Sequence, residues 1–165
     1  MHAEAGQWLD ACRKRLSVCD LGAFNVNGSA ADWFHGWDYV GVDIRPGPGV
    51  SVVADAATWD ARGRQFDVVV SCEMFEHCPN WRGVVANAFK LCKPGGYFFG
   101  TTAGPGRPAH TSDGGLVIPD GCHYENIDPA DLQFCLDKAG FVGVVVDVKG
   151  HDVRWLAERP MASRQ

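Results

Sequence analysis

The fold is decided by residues 17–29, which read Ser17-Val18-Cys19-Asp20-Leu21-Gly22-Ala23-Phe24-Asn25-Val26-Asn27-Gly28-Ser29. The stretch passes from an apolar run into a glycine turn and then into the start of a helix at Ser29. A second apolar run, Tyr39-Val40-Gly41-Val42-Asp43, ends on a carboxylate. A strand, a turn, a helix and a second strand tipped by an acid form the βαβ arrangement that holds a ribose-bearing ligand. Asp43 is placed to accept hydrogen bonds from both ribose hydroxyls.

Length, composition and charge restrict the kinds of protein that this chain can be. With 165 residues, of which 46% are apolar, residues 1–165 are expected to form a single domain with one core. The formal net charge is −5, and Arg13-Lys14-Arg15 is the longest basic run, so nucleic acid is not the expected partner. The sequence has no signal pattern and no apolar run approaching the roughly 18 residues of a membrane span. We therefore expect a cytoplasmic protein without a membrane partner.

The seven cysteines do not indicate a disulfide framework or a zinc site. None of them forms a Cys-x-x-Cys pair, and an odd number scattered along the chain is typical of reduced, mostly buried thiols. A metal site built in space from His77, Cys78, Cys122 and His123 has no support from sequence spacing. No metal is therefore expected.

Short valine-rich runs alternate with helical stretches. The predicted strands are residues 17–21, 39–44, 50–54, 66–71, 97–101, 141–148 and 153–158. The predicted helices are residues 3–15, 29–37, 58–62, 81–92 and 129–139. The last helix has clear boundaries, because Asp128 is its N-cap, Pro129 its first residue and Gly140 the residue after its end.

Alternation of strands and helices predicts an α/β fold, a Rossmann-like doubly wound sheet with helices on both faces. Only Lys149-Gly150-His151-Asp152 separates the last two strands, which is too short for a helical crossover. Those two strands are therefore predicted to form an antiparallel hairpin. The whole sheet should have seven strands, five of them parallel and followed by the C-terminal hairpin.

Six motifs in order resemble the class I S-adenosylmethionine (SAM)-dependent methyltransferases, in particular the small single-domain type 11 group. The resemblance covers nearly the whole chain. It rests on Asp20-Leu21-Gly22, Val42-Asp43, Ala54-Asp55-Ala56, Phe66-Asp67-Val68-Val69-Val70-Ser71-Cys72-Glu73, Phe75-Glu76-His77 and Leu91-Cys92-Lys93-Pro94-Gly95-Gly96. Each motif alone is weak, whereas the ordered set is specific.

The resemblance implies SAM as cofactor and places its contacts at the strand tips. Asp43 would accept from the ribose hydroxyls, Asp55 from the adenine amino group, and the Ala56 amide would meet a ring nitrogen. Gly22 would let the methionine end approach the backbone. The full set of implied cofactor residues is Asp20, Gly22, Ala23, Asn27, Gly28, Asp43, Ile44, Asp55, Ala56, Ser71, Cys72 and Glu73.

The glycine turn departs from the family pattern, acid-x-Gly-x-Gly-x-Gly. Phe24 and Val26 stand where the second and third glycines would fall, and bulky side chains restrict close backbone approach there. We expect the turn to take a different path, with Asn27 or Gly28 supplying the close contact. A dinucleotide enzyme is disfavoured further, because residues 22–24 fail the Gly-x-Gly-x-x-Gly pattern that cradles a pyrophosphate.

More than 20 residues rich in Gly and Pro follow the predicted fifth strand and suggest a binding loop or lid. His110 and His123 are the candidate general bases, because imidazole titrates near neutrality, and Asp113 could orient either of them. Arg107 could hold an anionic acceptor group, and Tyr124 is a further candidate for substrate binding.

The predicted reaction is methyl transfer from SAM to oxygen or nitrogen of a small-molecule or sugar-like acceptor. DNA amine methylation is disfavoured, since Ser71-Cys72-Glu73-Met74 lacks the Asp/Asn-Pro-Pro-aromatic box. The order Cys78-Pro79 likewise does not match the Pro-Cys nucleophile of cytosine C5 enzymes. The alternative is a catalytically silent member of the fold that serves as a SAM-binding or partner subunit. The oligomeric state and the acceptor stay open.

Overall fold

The computed structural model describes residues 16–26 and 28–162. Its strands are β1 (Ser17–Leu21), β2 (Asp38–Asp43), β3 (Val52–Val53), β4 (Phe66–Cys72), β5 (Cys92–Ala103), β6 (Val142–Lys149) and β7 (Asp152–Glu158). Its α-helices are α1 (Trp81–Leu91) and α2 (Pro129–Ala139), and its 3-10 helices are Ala30–Trp33 and Phe75–His77. The helix predicted over residues 3–15 lies outside the described residues.

The seven strands form one mixed sheet in the order β3-β2-β1-β4-β5-β7-β6. Strands β1 to β5 pair in parallel, whereas β7 pairs antiparallel with both β5 and β6. The order reverses between β1 and β4, so the two chain halves diverge there and leave a crevice at the carboxyl ends of the strands. The predicted α/β sheet with its antiparallel C-terminal pair is confirmed.

Two of the predicted helices are wrong. The segment 29–37 contains only the 3-10 helix Ala30–Trp33, although Ser29 caps it as expected by accepting a hydrogen bond from the Ala31 amide. Residues 58–62 form a turn, because Arg62 and Gly63 both take positive φ and end any helix there. Strand β3 is also shorter than predicted, since it spans only Val52–Val53 instead of residues 50–54.

Strand β5 begins five residues before the predicted start at Tyr97. The run Lys93-Pro94-Gly95-Gly96, which resembles a turn in the sequence, lies inside the strand as an irregularity of its register with β4. Gly95 supplies the positive φ of +76° that this irregularity needs. The strand therefore passes through the Pro-Gly segment without leaving the sheet.

The core has one cluster on each face of the sheet. The larger cluster packs α1 and α2 against inward residues of the strands, including Cys19, Val69, Phe98 and Trp155. The smaller one packs Phe34, from the end of the 3-10 helix, against Val18, Val68 and Val70, which alternate with the residues of the first cluster. Both faces of the central strands are therefore buried, as a parallel sheet requires.

A polar cluster ties three strands together at the end of the sheet opposite the crevice. The Asp67 carboxylate accepts hydrogen bonds from the Ser17 amide and hydroxyl and from the Lys93 ammonium at 2.7–2.8 Å. Burial disfavours the ionised carboxylate, but these hydrogen bonds outweigh it and lower the pKa of Asp67 to about 2.

Within the described part of the chain, the helices are too short or too polar to cross a membrane.

Candidate functional site

A cleft of about 1130 Å³ opens at the carboxyl ends of β1, β2 and β4. Most of the predicted cofactor residues line it, namely Asp20, Gly22, Ala23, Gly28, Asp43, Ile44, Asp55, Ala56, Cys72 and Glu73. Three of the predicted catalytic and substrate-binding residues, Arg107, His110 and His123, line it as well. Asn27 lies outside the described residues. The cleft exceeds the size of a typical small-molecule site, so it has room for two ligands side by side.

The backbone of the turn after β1 follows a path that accommodates Phe24 and Val26, which stand where the family pattern has glycines. The amides of Gly22 and Ala23 both donate to the Val42 carbonyl oxygen, which draws the chain across the tip of β2. The Phe24 ring then lies beneath the Arg45 guanidinium, 4.6 Å from the ring centroid. Phe24 is thus held against the loop after β2. The cleft remains open beside it.

Asp20 is a buried carboxylate at the tip of β1, only 4% exposed. Burial raises the pKa of Asp20 to about 6, and the negative charge of Asp43 adds to that effect. The Tyr39 hydroxyl donates a hydrogen bond to Asp20 and partly opposes the shift. Burial and the adjacent Asp20 charge raise the pKa of the Tyr39 hydroxyl, which therefore stays a donor.

Asp43 and Asp55 stand at the tips of β2 and β3 and shape their own turns. Asp43 accepts hydrogen bonds from the Phe24 amide at 3.3 Å and the Arg45 amide at 2.9 Å. Asp55 accepts one from the Ala57 amide at 2.8 Å. Each carboxylate keeps unused lone pairs, since one oxygen can accept two hydrogen bonds. Both can therefore serve the turn and a ligand together.

Three of the predicted site residues that the structure describes are absent from the lining of the cleft. Ser71 is buried and donates to the Leu21 carbonyl oxygen at 2.7 Å, because strand alternation turns it away from the cleft. Asp113 orients neither imidazole, since its carboxylate accepts from Thr111 within the lid. Tyr124 is not part of the cleft wall but packs edge-on against His110, with ring centroids 5.0 Å apart.

Glu73 marks the point where β4 leaves the sheet. It takes a φ of +51°, a conformation that costs a non-glycine residue free energy and tends to occur at functional sites. The Thr101 hydroxyl donates to its carboxylate at 2.7 Å, and the Arg107 guanidinium lies 4.0 Å away. Arg107 also pairs with Asp152, so two carboxylates already neutralise the residue predicted to hold an anionic acceptor.

Behind Glu73, the 3-10 helix Phe75–His77 brings an acid and an imidazole to the floor of the cleft. Glu76 is fully buried and accepts hydrogen bonds from the Thr102 hydroxyl at 2.7 Å and the Ala103 amide at 3.2 Å. Burial, and secondarily the Glu73 charge, raise the pKa of Glu76 to about 7. Burial and the adjacent His110 lower the pKa of His77, which favours its neutral form.

The lid, residues 104–127, is folded onto the cleft. The Thr111 amide donates to the Gly115 carbonyl oxygen, and the Gly115 amide donates back to the Thr111 hydroxyl, which closes a turn. Arg45 donates to Ser112 across the cleft mouth at 3.3 Å. His123 lies 3.4 Å from the Glu125 carboxylate. The lid thus brings His110 and His123 to the cleft wall.

Sequence reasoning missed part of the wall. The missed residues include the apolar Trp33, Met74 and Ile118 and the polar pair His77 and Asn80. The position of His77 directly after the fourth strand is the signal that could have identified it, because ligands gather at the carboxyl ends of such strands. The apolar residues carry no such signal.

Comparisons with known proteins agree with this architecture. A family model described as a methyltransferase domain matches residues 3–146. A ubiquinone biosynthesis O-methyltransferase of Shewanella halifaxensis is 35% identical over 98 residues, covering 54% of this chain and 41% of that protein. The counterpart from Shewanella pealeana is 34% identical over 103 residues and is covered to 43%. The chain therefore spans less than half the length of these curated relatives.

Solved structures share the fold. A 1,6-didemethyltoxoflavin-N1-methyltransferase of Burkholderia thailandensis, solved with S-adenosylhomocysteine, superposes with a TM-score of 0.65 at 18% identity, covering 96% of this chain and 83% of that one. A SAM-dependent methyltransferase of Archaeoglobus fulgidus gives 0.66 at 15% identity, with 94% and 91% covered. Together with the match of the family model over most of the chain, the sheet order and the cleft lead to one conclusion: this chain belongs to the methyltransferase domain family.

Proposed function

We propose that this chain is a SAM-dependent methyltransferase, and that the cleft at the tips of β1, β2 and β4 binds SAM. The observation that carries the proposal is the convergence of Asp20, Asp43 and Asp55 from three separate strand tips on one cleft. Its volume of about 1130 Å³ leaves space for an acceptor beside the cofactor. The family membership of the chain supports the same reading.

In this proposal each end of SAM meets a different strand. Asp43 accepts from the ribose hydroxyls, and Asp55 with the Ala56 amide meets the adenine. Gly22 and Asp20 face the methionine end, where an ionised Asp20 would attract the ammonium group. The sulfonium then lies toward Cys72 and Glu73, next to the lid. The raised pKa of the Cys72 thiol, about 11, makes a covalent step through that residue unfavourable.

We assign the acceptor to the lid side of the cleft and to the class of small molecules methylated on oxygen or nitrogen. The named relatives act on small molecules, in ubiquinone biosynthesis at oxygen and in toxoflavin at nitrogen. His110 and His123 are the proposed bases for a nucleophile that carries a proton. Alignment of the acceptor with the sulfonium supplies much of the rate, because methyl transfer is an in-line displacement.

The competing proposal is a catalytically silent subunit, and the observation behind it is the altered glycine turn with Phe24 and Val26. Both residues line the cleft without filling it. The Phe24 ring also lies under the Arg45 guanidinium, which fixes the ring beside the loop after β2. Because the Phe24 ring is held there, the cleft stays open to a ligand, which favours SAM binding over a cleft closed by Phe24 and Val26. Turnover in an acceptor screen separates an enzyme from a silent SAM-binding subunit.

The test is calorimetric titration with SAM and S-adenosylhomocysteine of the natural chain, Asp43→Ala and Asp60→Ala. Asp60 is a matched control, because it accepts from the Arg62 amide at 2.7 Å just as Asp43 accepts from the Arg45 amide, yet it lies outside the cleft. Loss of charge-assisted hydrogen bonds should weaken binding to Asp43→Ala by about 10- to 150-fold.

Asp60→Ala should bind as the natural chain does. Equal weakening in both variants would mean that loss of a local turn, not of a ribose contact, explains the effect. Unchanged affinity in Asp43→Ala would remove the ribose assignment. A flat titration of the natural chain would remove SAM binding altogether.

A further inference from the structure

A cluster at the cleft joins Glu76 and His77 of its floor with His110 of the lid, and the methyl-transfer proposal leaves this cluster partly unused. One ligand-capable atom from each side chain lies within 4.8 Å of the other two. Glu76 and His77 come from the 3-10 helix after β4, and His110 comes from the lid more than 30 residues later. We propose that these three side chains bind one divalent transition metal ion on the acceptor side of the cleft.

The donor set selects the kind of ion. Two imidazole nitrogens and one carboxylate suit Zn²⁺, Fe²⁺ or Co²⁺, whereas Mg²⁺ and Ca²⁺ favour oxygen ligands throughout. Ligands about 2.1 Å from one ion lie roughly 3–3.5 Å apart. The three atoms must therefore draw together by at most about 1.8 Å from their present limit of 4.8 Å. A small inward movement of His110 with the lid accomplishes this.

Two of the three ligands already have the hydrogen-bond partner that a metal site requires behind them. The Nδ1 atom of His110 lies 3.0 Å from the Pro108 carbonyl oxygen, and because that oxygen can only accept, Nδ1 carries the proton. Nε2 is then the free, metal-binding nitrogen. The two Glu76 oxygens are fixed by the Thr102 hydroxyl and the Ala103 amide. Such outer hydrogen bonds orient ligands and fix their tautomers in metal sites.

The charge at the floor of the cleft also calls for a cation. Glu76 is completely buried, and across residues 16–26 and 28–162 it forms no ion pair with Lys, Arg or His. The Arg107 guanidinium is directed to Asp152 and Glu73 instead. Burial without a counter-charge disfavours the ionised form of this side chain, and a bound divalent ion would favour the carboxylate instead.

The open coordination positions would face the acceptor. His77 and His110 line the cleft while Glu76 lies behind them, so three protein ligands leave at least one position directed into the cleft. An acceptor hydroxyl or phenol oxygen could occupy that position. His123 would then be the base, because a metal-bound His110 has no ring lone pair left to accept a proton. This role toward the acceptor rests on the proposed function, whereas binding of the metal itself does not.

The experiment uses metal-free protein without SAM. Zn²⁺ is titrated by calorimetry and Co²⁺ by visible absorption into the natural chain, His77→Ala, His110→Ala and the control His35→Ala, whose imidazole is exposed outside the cleft. We expect one equivalent of metal in the natural chain and in His35→Ala. Loss of one ligand should weaken binding by at least about 100-fold in the other two variants.

His110→Ala is the decisive variant, because His110 lies on the lid and its removal leaves the core intact. Three results would overturn the proposal: no stoichiometric binding, equal binding by His110→Ala, or a near-ultraviolet thiolate band with Co²⁺ that assigns the metal to cysteines. Titration of the same metal-free protein with S-adenosylhomocysteine keeps the two proposals apart. Cofactor binding without metal binding removes only the metal site.

Discussion

Gly22 is required at the turn after β1 for two reasons, its backbone conformation and its close approach to Met74. Its φ is +92°, and a Cβ built there would lie 2.5 Å from Met74 Cγ, close to the backbone end of that side chain. Gly63 has a similar φ of +82° but open space around it. We expect Gly63→Ala to lose about 1 kcal/mol of unfolding free energy from backbone strain alone. Gly22→Ala should lose about 1–3 kcal/mol more through overpacking.

Denaturant unfolding of the two glycine variants measures this difference directly. Equal losses would show that Met74 yields without cost and that Gly22 is needed for its backbone conformation only. The comparison is informative because the two positions share the same backbone strain. Only the contact with Met74 separates them.

Asp20 gives the stability of the protein a pH dependence of predictable sign. Its folded-state pKa of about 6 exceeds the ordinary value of 3.8, so the protonated form is favoured by folding. Its contribution is fully present below about pH 4 and is lost as pH rises through about 6. Between about pH 5 and about pH 8 the loss should be on the order of 1 kcal/mol.

Urea unfolding of the natural chain and of Asp20→Asn at both pH values checks the sign. The amide of the variant cannot titrate, so the difference in unfolding free energy between the two proteins should change with pH. A constant difference would contradict the raised pKa of Asp20. If Asp20 also meets the SAM ammonium, cofactor affinity should rise over the same interval as the carboxylate ionises.

The sequence predicts the carboxylates at the strand tips of the candidate site, but it does not predict that Glu76 and His77 form the floor of the cleft. Asp20, Asp43 and Asp55 each follow a short apolar run, and strand tips converge in a parallel sheet. Ser71 and Cys72 show the limit of that reasoning, since neighbours on a strand point to opposite faces and the sequence alone does not fix which one faces the cleft.

At the scale of elements, the two α-helices begin in different ways. The Asp128 carboxylate accepts hydrogen bonds from the Ala130 and Asp131 amides at the start of α2, whereas the Asn80 side chain makes no capping bond at the start of α1. Asp128→Ala should therefore lower the unfolding free energy by about 1 kcal/mol. Asn80→Ala, its matched control, should change it by less than about 0.5 kcal/mol.

Thermal or urea unfolding of these two variants is sufficient for the test. A similar cost at both positions would mean that the hydrogen bonds at Asp128 contribute nothing beyond helix propensity. Because Asn80 lines the cleft, its effect on cofactor binding is measured separately.

Elements with complete local signals were predicted correctly, and elements decided by their surroundings were not. Helix α2 carries an N-cap, a first-turn proline and a terminal glycine, and its bounds Pro129–Ala139 match the prediction. The segment 29–37 has a good cap in Ser29, but Phe34 and Trp37 pack against each other, with centroids 5.1 Å apart, beneath the sheet. Tertiary packing thus overrides the helical pattern after one turn.

The cleft draws its residues from strands in both halves of the sheet, so it forms only when the whole sheet is folded. At the scale of the whole molecule, cofactor binding should therefore stabilise the folded state against unfolding. A ligand that binds only the folded state stabilises it by about 2.7 kcal/mol at 100 times its dissociation constant. For a domain of this size, each 1 kcal/mol raises Tm by roughly 2–4 °C. Saturating S-adenosylhomocysteine should therefore raise Tm by about 5–10 °C.

Asp43→Ala discriminates a specific effect from a general one in the same melting experiment. At an unchanged ligand concentration, a tenfold weaker affinity should reduce the stabilisation to about 1.4 kcal/mol, or roughly half the rise in Tm. Asp60→Ala should keep the full rise, since its carboxylate closes a similar turn away from the cleft. If the natural chain shows no rise at millimolar ligand, the converging carboxylates bind no adenosyl cofactor, and the cleft must serve another ligand.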